Sequence, residues 1–358
     1  MPRRLALLPL VVLLLRAQDD RAVVASRIDS AVQRIFHATR CPCLSVAVAT
    51  NNTIIYSKAL GFADIEQGVA CTTDSAHRLA SLSKLITATI IMDQVQSGRL
   101  KLDASIKIYL ADLPAAYDHV TIRHLLSHQA GIREYRNLEE VFSTIHYPAS
   151  RDALKAFVND PLLFEPGTKT AYSSYGFTML GAAAEIAAGK TFQDLSKDFF
   201  ERHHIQGFDI DDPLAIVPHR VRGYLVDQKA VSNSRAYDAS NKYPAGGFTA
   251  SADTCLRFLI AVGSGQVLNP EILKQTWTRQ KTRDGTASAF GLGWGVSTWE
   301  GRAMVGLNGL QPSTTTSARY FPEEGDGVVL LCNAEVKNAE GGQDLSLSMN
   351  NLLKIILK

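Results

Sequence analysis

Strand-like segments occupy the two ends of this chain, and helical periodicity fills the stretch between them. Leu44 to Thr50 and Thr53 to Leu60 flank Asn51-Asn52, a two-residue hairpin signal. Near the other end, Gly291 to Thr298, Ala303 to Leu307, Thr314 to Phe321 and Gly327 to Asn333 are short, turn-bounded and regularly spaced. Between about 95 and 245 the pattern is mostly helical, with segments near 103–110, 121–128, 150–158, 175–188 and 191–203. Helices are also predicted over 19–39, over Leu82 to Val95 and over Leu345 to Leu357, while Asp209 to Asp212 and Asp284-Gly285 read as loops. Strands at both ends split by helices argue for an α+β fold. Its simplest form is one central antiparallel sheet built from both chain ends, flanked by helices, with an inserted mostly helical region.

The 358 residues can bury a large core, and no linker or repeat divides them, so residues 18–358 read as one domain. The net charge of +2, without a Lys/Arg run, argues against nucleic acid as a partner. Arg3, Arg4 and the apolar run Leu5 to Leu15 read as a targeting segment over 1–17, too short to span a bilayer. The reading favours an exported protein, periplasmic or secreted, with no stable membrane span after cleavage. A mitochondrial presequence and an uncleaved anchor are the alternatives. Five cysteines are too few for a disulfide scaffold. Most read as small buried hydrophobes, Cys332 within a buried strand. One remote disulfide stays open if the chain is exported, and spacing does not settle the state of Cys41, Cys43 and Cys71.

Chemistry enters at Ser81-Leu82-Ser83-Lys84. Positions i and i+3 share a helix face, so Ser81 Oγ and Lys84 Nζ fall within hydrogen-bond reach. A lysine so placed can activate a serine nucleophile. Alone the motif is weak, because two common residues meet at this spacing by chance, with Ser81 then only a helix cap. Tyr172-Ser173-Ser174 follows the turn Glu165-Pro166-Gly167 and precedes the helix at 175–188. A tyrosine there beside Lys84 can serve as a general base. The bland alternative is a half-buried structural tyrosine. Met304 to Leu310 supplies a strand in which Gly309 permits close backbone approach and the next amide can face a developing oxyanion. His124 and His128 have helical metal-ligand spacing, but no H-E-x-x-H pattern surrounds them. They read as structural, and Trp294 reads as packing. No metal or cofactor motif is found.

Six ordered blocks then carry a family resemblance. They are Arg78-Leu-Ala-Ser81-Leu-Ser-Lys84, His124 to Gly131, Phe164-Glu-Pro-Gly167 with Tyr172 to Gly181, Ala245 to Asp253, Gly291-Leu-Gly-Trp-Gly295 and Phe321-Pro-Glu-Glu-Gly325. From about residue 25 onward the chain resembles the serine β-lactamase-like and penicillin-binding-protein-like hydrolases, on the class C β-lactamase-related side, nearest a mitochondrial peptidase-like branch. The resemblance implies Ser81 as the acylated nucleophile, Lys84 as its activator and Tyr172 as the second member of the base system. It implies Ser174 where many members carry Asn, and backbone amides of Ser81 and Leu310 as oxyanion donors. Asn308, Gly309 and Leu310 are expected on the oxyanion and substrate side.

One departure stands out. Leu307-Asn308-Gly309 aligns where the family carries Lys-Thr-Gly or His-x-Gly. A hydrogen bond to a charged group is worth about 1.5–3 kcal/mol, so the site is expected to be slowed about 10- to 100-fold or redirected. Arg302 and Arg319 are candidates to supply the charge. The expected function is a serine hydrolase of amides or esters acting on a small molecule or peptide, with peptidase or esterase favoured over β-lactamase. The alternative is a catalytically weak binding or scaffolding protein on the same fold, for which homo-oligomers are an open possibility.

Overall fold

A computed structural model describes residues 8–227, 230–336 and 345–357, with side chains from residue 23 onward. Helix α1 (Leu8–Thr39) leads into β1 (Cys43–Thr50), β2 (Thr53–Asp64) and the short β3 (Val69–Ala70). Helix α2 (Ser83–Gln96) and helix α3 (Ser174–Ala188) lie in the middle of the chain. The return is made by β4 (Gly295–Trp299), β5 (Arg302–Gln311), β6 (Thr314–Phe321) and β7 (Asp326–Cys332), and α4 (Ser346–Ile356) follows.

These seven strands form one sheet in the order β3-β2-β1-β7-β6-β5-β4. Every neighbouring pair is antiparallel, and the two chain ends meet at its centre, where Leu44 faces Cys332 and Ala49 faces Gly327. Asn51 and Asn52 sit at φ 48° and 59°, the left-handed pair that a two-residue hairpin needs. The central strands are covered on both faces, which explains their unbroken apolar character. Val46, Val48 and Leu330 pack with α1 and α4, while Ala47, Ala49 and Val329 pack with the α2 side. Helix α2 is buried from Ser83 to Gln94 and α3 from Ser174 to Glu185. Helices buried on all sides carry apolar residues all round rather than one stripe. The expected α+β architecture is therefore present.

Several local expectations are corrected. The 95–245 region contains short strands at Asp209–Ile210, Tyr224–Val226 and Val231–Asn233, so Asp209 begins a strand rather than a loop. The first is defined by distant partners, Thr249 and Phe248, while the other two pair with each other, and strands this short show no periodicity of their own. The helices expected near 103–110 and 121–128 shrink to a 3-10 turn at Ile106–Ile108 and a helix at Ile122–Leu126. Four of the five cysteines are paired, as Cys41–Cys332 and Cys43–Cys71, and only the buried Cys255 is free. Those partners are 291 and 28 residues apart in sequence, so local spacing held no sign of them. Of the expected targeting segment, residues 1–7 lie outside the described residues, and from Leu8 the backbone is helical. No helix among the described residues is long and apolar enough to cross a membrane.

Candidate active site

Ser81 lies in a 3-10 turn, Ala80–Leu82, that runs directly into α2. Ala80 holds φ 49°, a left-handed conformation for a residue with a Cβ. Strain of this kind costs on the order of 1–3 kcal/mol and clusters at functional sites. The turn leaves Ser81 partly open at the head of a helix that is otherwise buried.

Lys84, one turn on, is 1% exposed. Its Nζ donates to Ser81 Oγ at 3.2 Å, to Ser174 Oγ at 3.2 Å and to the Ala245 carbonyl at 2.9 Å. Three acceptors match the three N–H donors of an ammonium group. Ser173 caps α3 by accepting from the Gly176 amide, which sets Tyr172 just ahead of the helix. Tyr172 is 38% exposed and donates to Ser81 Oγ at 2.7 Å, and Lys84 Nζ stands 4.8 Å from its ring centre. Ser81, Lys84, Tyr172 and Ser174 are thus brought together, from two helix starts 90 residues apart.

Beside Tyr172 lies the ring of His128, 4.5 Å away between centroids, and Phe290 packs against both, 4.7 Å from His128 and 6.1 Å from Tyr172. His128 Nδ1 accepts from the Ser173 amide. Burial, and then Lys84, push His128 down to about 3, so it is a neutral support. His128 sits at φ 59° beyond the helix end, while His124 closes a capping box with Thr121. The two histidines do separate structural work, as their sequence context suggested.

Across the cleft runs β5. Its outer edge pairs with β4 only from Arg302 to Gly306, and the next residues pass the Ser81 turn. A Cβ on Gly309 would stand 3.0 Å from the Ser81 amide, 2.7 Å from the Leu79 carbonyl and 2.2 Å from Thr316 Oγ1. Only glycine lets the strand lie this close. Leu310 lines both cavities that meet at Ser81, of about 380 and 350 Å³. Asn308 borders the smaller one, but its side chain is committed elsewhere. Its Nδ2 donates to Ser346 Oγ on α4, and its Oδ1 accepts from Ser317 Oγ and Arg319.

Strand alternation separates the Asn308 side chain from the face that carries Gly309. Val305, Leu307 and Gly309 share the face toward the main core, whereas Met304 and Asn308 share the face covered by α1 and α4. Leu307 is half-buried against the main core and brings no charge. The two arginine candidates do not replace it. Arg319 donates to the Leu307 carbonyl and to Asn308, and Arg302 reaches the Leu357 carbonyl and Glu324.

Sequence reasoning missed three charged groups in the larger cavity, Glu134, Lys242 and Glu335. Glu134 accepts from the Ser174 amide, and Lys242 Nζ donates to the Val141 carbonyl at 2.8 Å. Burial pulls Lys242 down to about 7, partly opposed by Glu134. Glu134 follows the His124 to Gly131 block closely, which was the available signal. Lys242 had none, because its surroundings come from residues about a hundred positions away. Trp294 is fully buried against Trp277, as packing.

Comparison with known proteins follows the same lines. The Beta-lactamase family model matches residues 28–348. The human serine beta-lactamase-like protein LACTB, mitochondrial, is 24% identical over 363 residues, covering 77% of this chain and 66% of that protein. Esterase EstB of Burkholderia gladioli is 28% identical over 317 residues, covering 77% of this chain and 79% of the esterase. The crystal structure of D-amino acid amidase from Ochrobactrum anthropi SV3 complexed with L-phenylalanine amide shares the fold, with a TM-score of 0.80 at 19% identity over 93% of this chain and 98% of that one. The chain spans about two thirds of the length of the mitochondrial relatives it matches.

Proposed function

The chain belongs to the Beta-lactamase family, a family of serine hydrolases, and on that premise we propose that it hydrolyses amide or ester bonds through an acyl-enzyme on Ser81. The carrying observation is that Ser81 Oγ is bonded at once by Lys84 Nζ and by Tyr172 Oη. In the first step the Lys84–Tyr172 pair, once it has given one proton to solvent, takes the Ser81 proton while Oγ bonds to the substrate carbonyl carbon and the C=O electron pair moves onto oxygen as the oxyanion. Tyr172, the more open of the two, returns that proton to the leaving group as the carbonyl carbon releases it. Water then attacks the acyl carbon, losing a proton to the same pair, and Ser81 leaves with a proton regained. The backbone amides of Ser81 and Leu310 are the proposed oxyanion donors, with the free edge of β5 receiving an extended substrate. Gly309 makes that approach possible. Ser174 holds Lys84, and Asn308 fixes the strand from behind.

A peptidase or esterase fits better than a β-lactamase. Leu307 offers no cation to a substrate carboxylate, and the larger cavity has apolar walls at Leu138, Val141 and Phe142. Two disulfides support an oxidising compartment and hence export. The mitochondrial relatives favour the other location.

The test is a chromogenic ester together with a fluorophosphonate probe, read by burst kinetics and intact mass. A one-to-one adduct and a burst are expected. An adduct that persists in Ser81→Ala overturns the assignment of the nucleophile. Absence of any burst or adduct favours the scaffolding reading that the apolar Leu307 invites.

A further inference from the structure

A cavity larger than either of those at Ser81 lies elsewhere in the molecule. It holds about 710 Å³ and lies between β2–β3 and residues 213–223 and 234–237. Its chemistry is basic. Arg78, Arg220, Arg222 and Arg235 line it together with His219, and Asp64 is the one carboxylate in its wall.

The ion pairs in this cluster leave donors unspent. Arg78 uses Nε for Asp211 and lies over the Tyr237 ring, while Arg220 reaches the same buried carboxylate and spends Nη1 and Nη2 on the Asp212 and Ala215 carbonyls, so the uncommitted donors are those of Arg78, Arg222 and Arg235. Arg222 uses Nη1 for Glu66, with Asp64 at 3.9 Å. Arg235 has no carboxylate within ion-pair distance among the described residues, and its guanidinium rests 4.8 Å from the ring centre of Phe142. Four guanidinium groups therefore meet three carboxylates, Asp64, Glu66 and Asp211. Gly223 adds no side chain that would cover Arg78, whose Nη1 lies 3.4 Å from where a Cβ would stand. A purely structural charge cluster would pair each arginine and close the space between them. Here the arginines border an open cavity, and the guanidinium fork matches oxyanions bidentately.

We propose that this arginine-lined cavity is a binding site for a small multivalent oxyanion, either phosphorylated or polycarboxylate. It is separate from the acylation site but shares a wall with it. Arg78 is three residues before Ser81, and Tyr237 from the cavity wall donates to Gln311, which borders the larger cavity beside Ser81. Occupancy can therefore bear on the Ser81 turn through Arg78.

Calorimetric titration of the full chain at low ionic strength tests this, with pyrophosphate in one arm and citrate in the other. One-to-one binding with a sub-millimolar dissociation constant is expected in at least one arm, and the arm that binds identifies the class. Arg235→Gln is expected to weaken it about tenfold, the size of one charge-assisted hydrogen bond, and Arg222→Gln by a similar factor. The exposed Lys274→Gln is expected to change nothing. Circular dichroism checks that each variant is folded. Absence of binding in both arms at 10 mM anion (about tenfold above the weakest affinity expected) overturns the proposal, as does wild-type affinity in both arginine variants. Because the readout is binding, the result stands apart from whether Ser81 is acylated.

Discussion

The two walls of the Ser81 cleft are built differently. On the helix wall, side chains converge: Lys84, Tyr172 and Ser174 reach Ser81 or one another within 3.2 Å. On the strand wall the nearest contribution is bare backbone, because Gly309 has no side chain, Asn308 is turned to α4 and Leu307 faces the core. The helix wall carries the groups proposed to activate Ser81. The strand wall offers shape and main-chain donors, with no charged group to select a substrate by its carboxylate. Activation and recognition are thus separable here, and single substitutions on either wall test that separation.

The largest effect is expected from Ser81→Ala. Removal of the attacking oxygen should abolish adduct formation and lower any ester turnover by about a thousandfold or more. Initial rates and intact mass measure it. Retained turnover would move the chemistry away from the helix wall altogether.

Gly309→Ala comes next and breaks the strand wall alone. The added methyl has backbone on one side and Thr316 on the other, so the strand must retreat from Ser81. A misplacement of about 1 Å costs on the order of a hundredfold in rate, and crowding of this kind destabilises by about 1–3 kcal/mol. Acylation kinetics and thermal unfolding, measured together, separate the two. A fast Gly309→Ala enzyme would show that β5 does not border the reacting carbonyl.

Leu307→Lys sharpens the comparison in the other direction. It restores a cation at this position of β5, and a hydrogen bond to charge is worth about 1.5–3 kcal/mol. Acylation by a penicillin, which carries a carboxylate, should rise about tenfold relative to acylation by a neutral ester. The ratio of the two rate constants is the measurement, since it cancels any general loss of packing. An unchanged ratio means that position 307 does not face the substrate.

What could be read in the sequence follows how local each determinant is. Ser81 and Lys84 are three residues apart, and Tyr172 immediately precedes a capped helix, so both signals are short-range. The hairpin at Asn51-Asn52 and the late strands are likewise encoded locally. The partners of Cys41 and Cys43 were not readable, because only the finished sheet and its β2–β3 edge bring Cys332 and Cys71 to them. Lys242 was hidden for the same reason. Asn308 was readable in part: it borders the smaller cavity as expected, and a period of two turns its side chain to the face opposite Gly309.

The smallest expected effect concerns the support of the helix wall rather than its chemistry. His128 stacks on Tyr172 and burial holds it near 3, against an ordinary value of 6.5. His77, buried beside Ser45 and Cys43, is pushed down to about 3 by burial as well. Between pH 6.5 and 3 the unfolded chain binds protons that the folded chain refuses. Stability from these two groups is therefore complete above about pH 6.5 and is lost as the pH falls toward 3. Each contributes a slope of up to about 1.4 kcal/mol per pH unit in that window. His128→Asn keeps a side-chain acceptor for the Ser173 amide and suits the positive φ at this position. It should flatten the acid limb by about one proton while His77 maintains the remainder. Urea unfolding at pH 7, 6 and 5 measures the slope. An acid limb unchanged by His128→Asn would mean that His128 already carries its proton in the folded protein, placing a second cation directly beside Tyr172 and making the helix wall more strongly charged than its geometry implies.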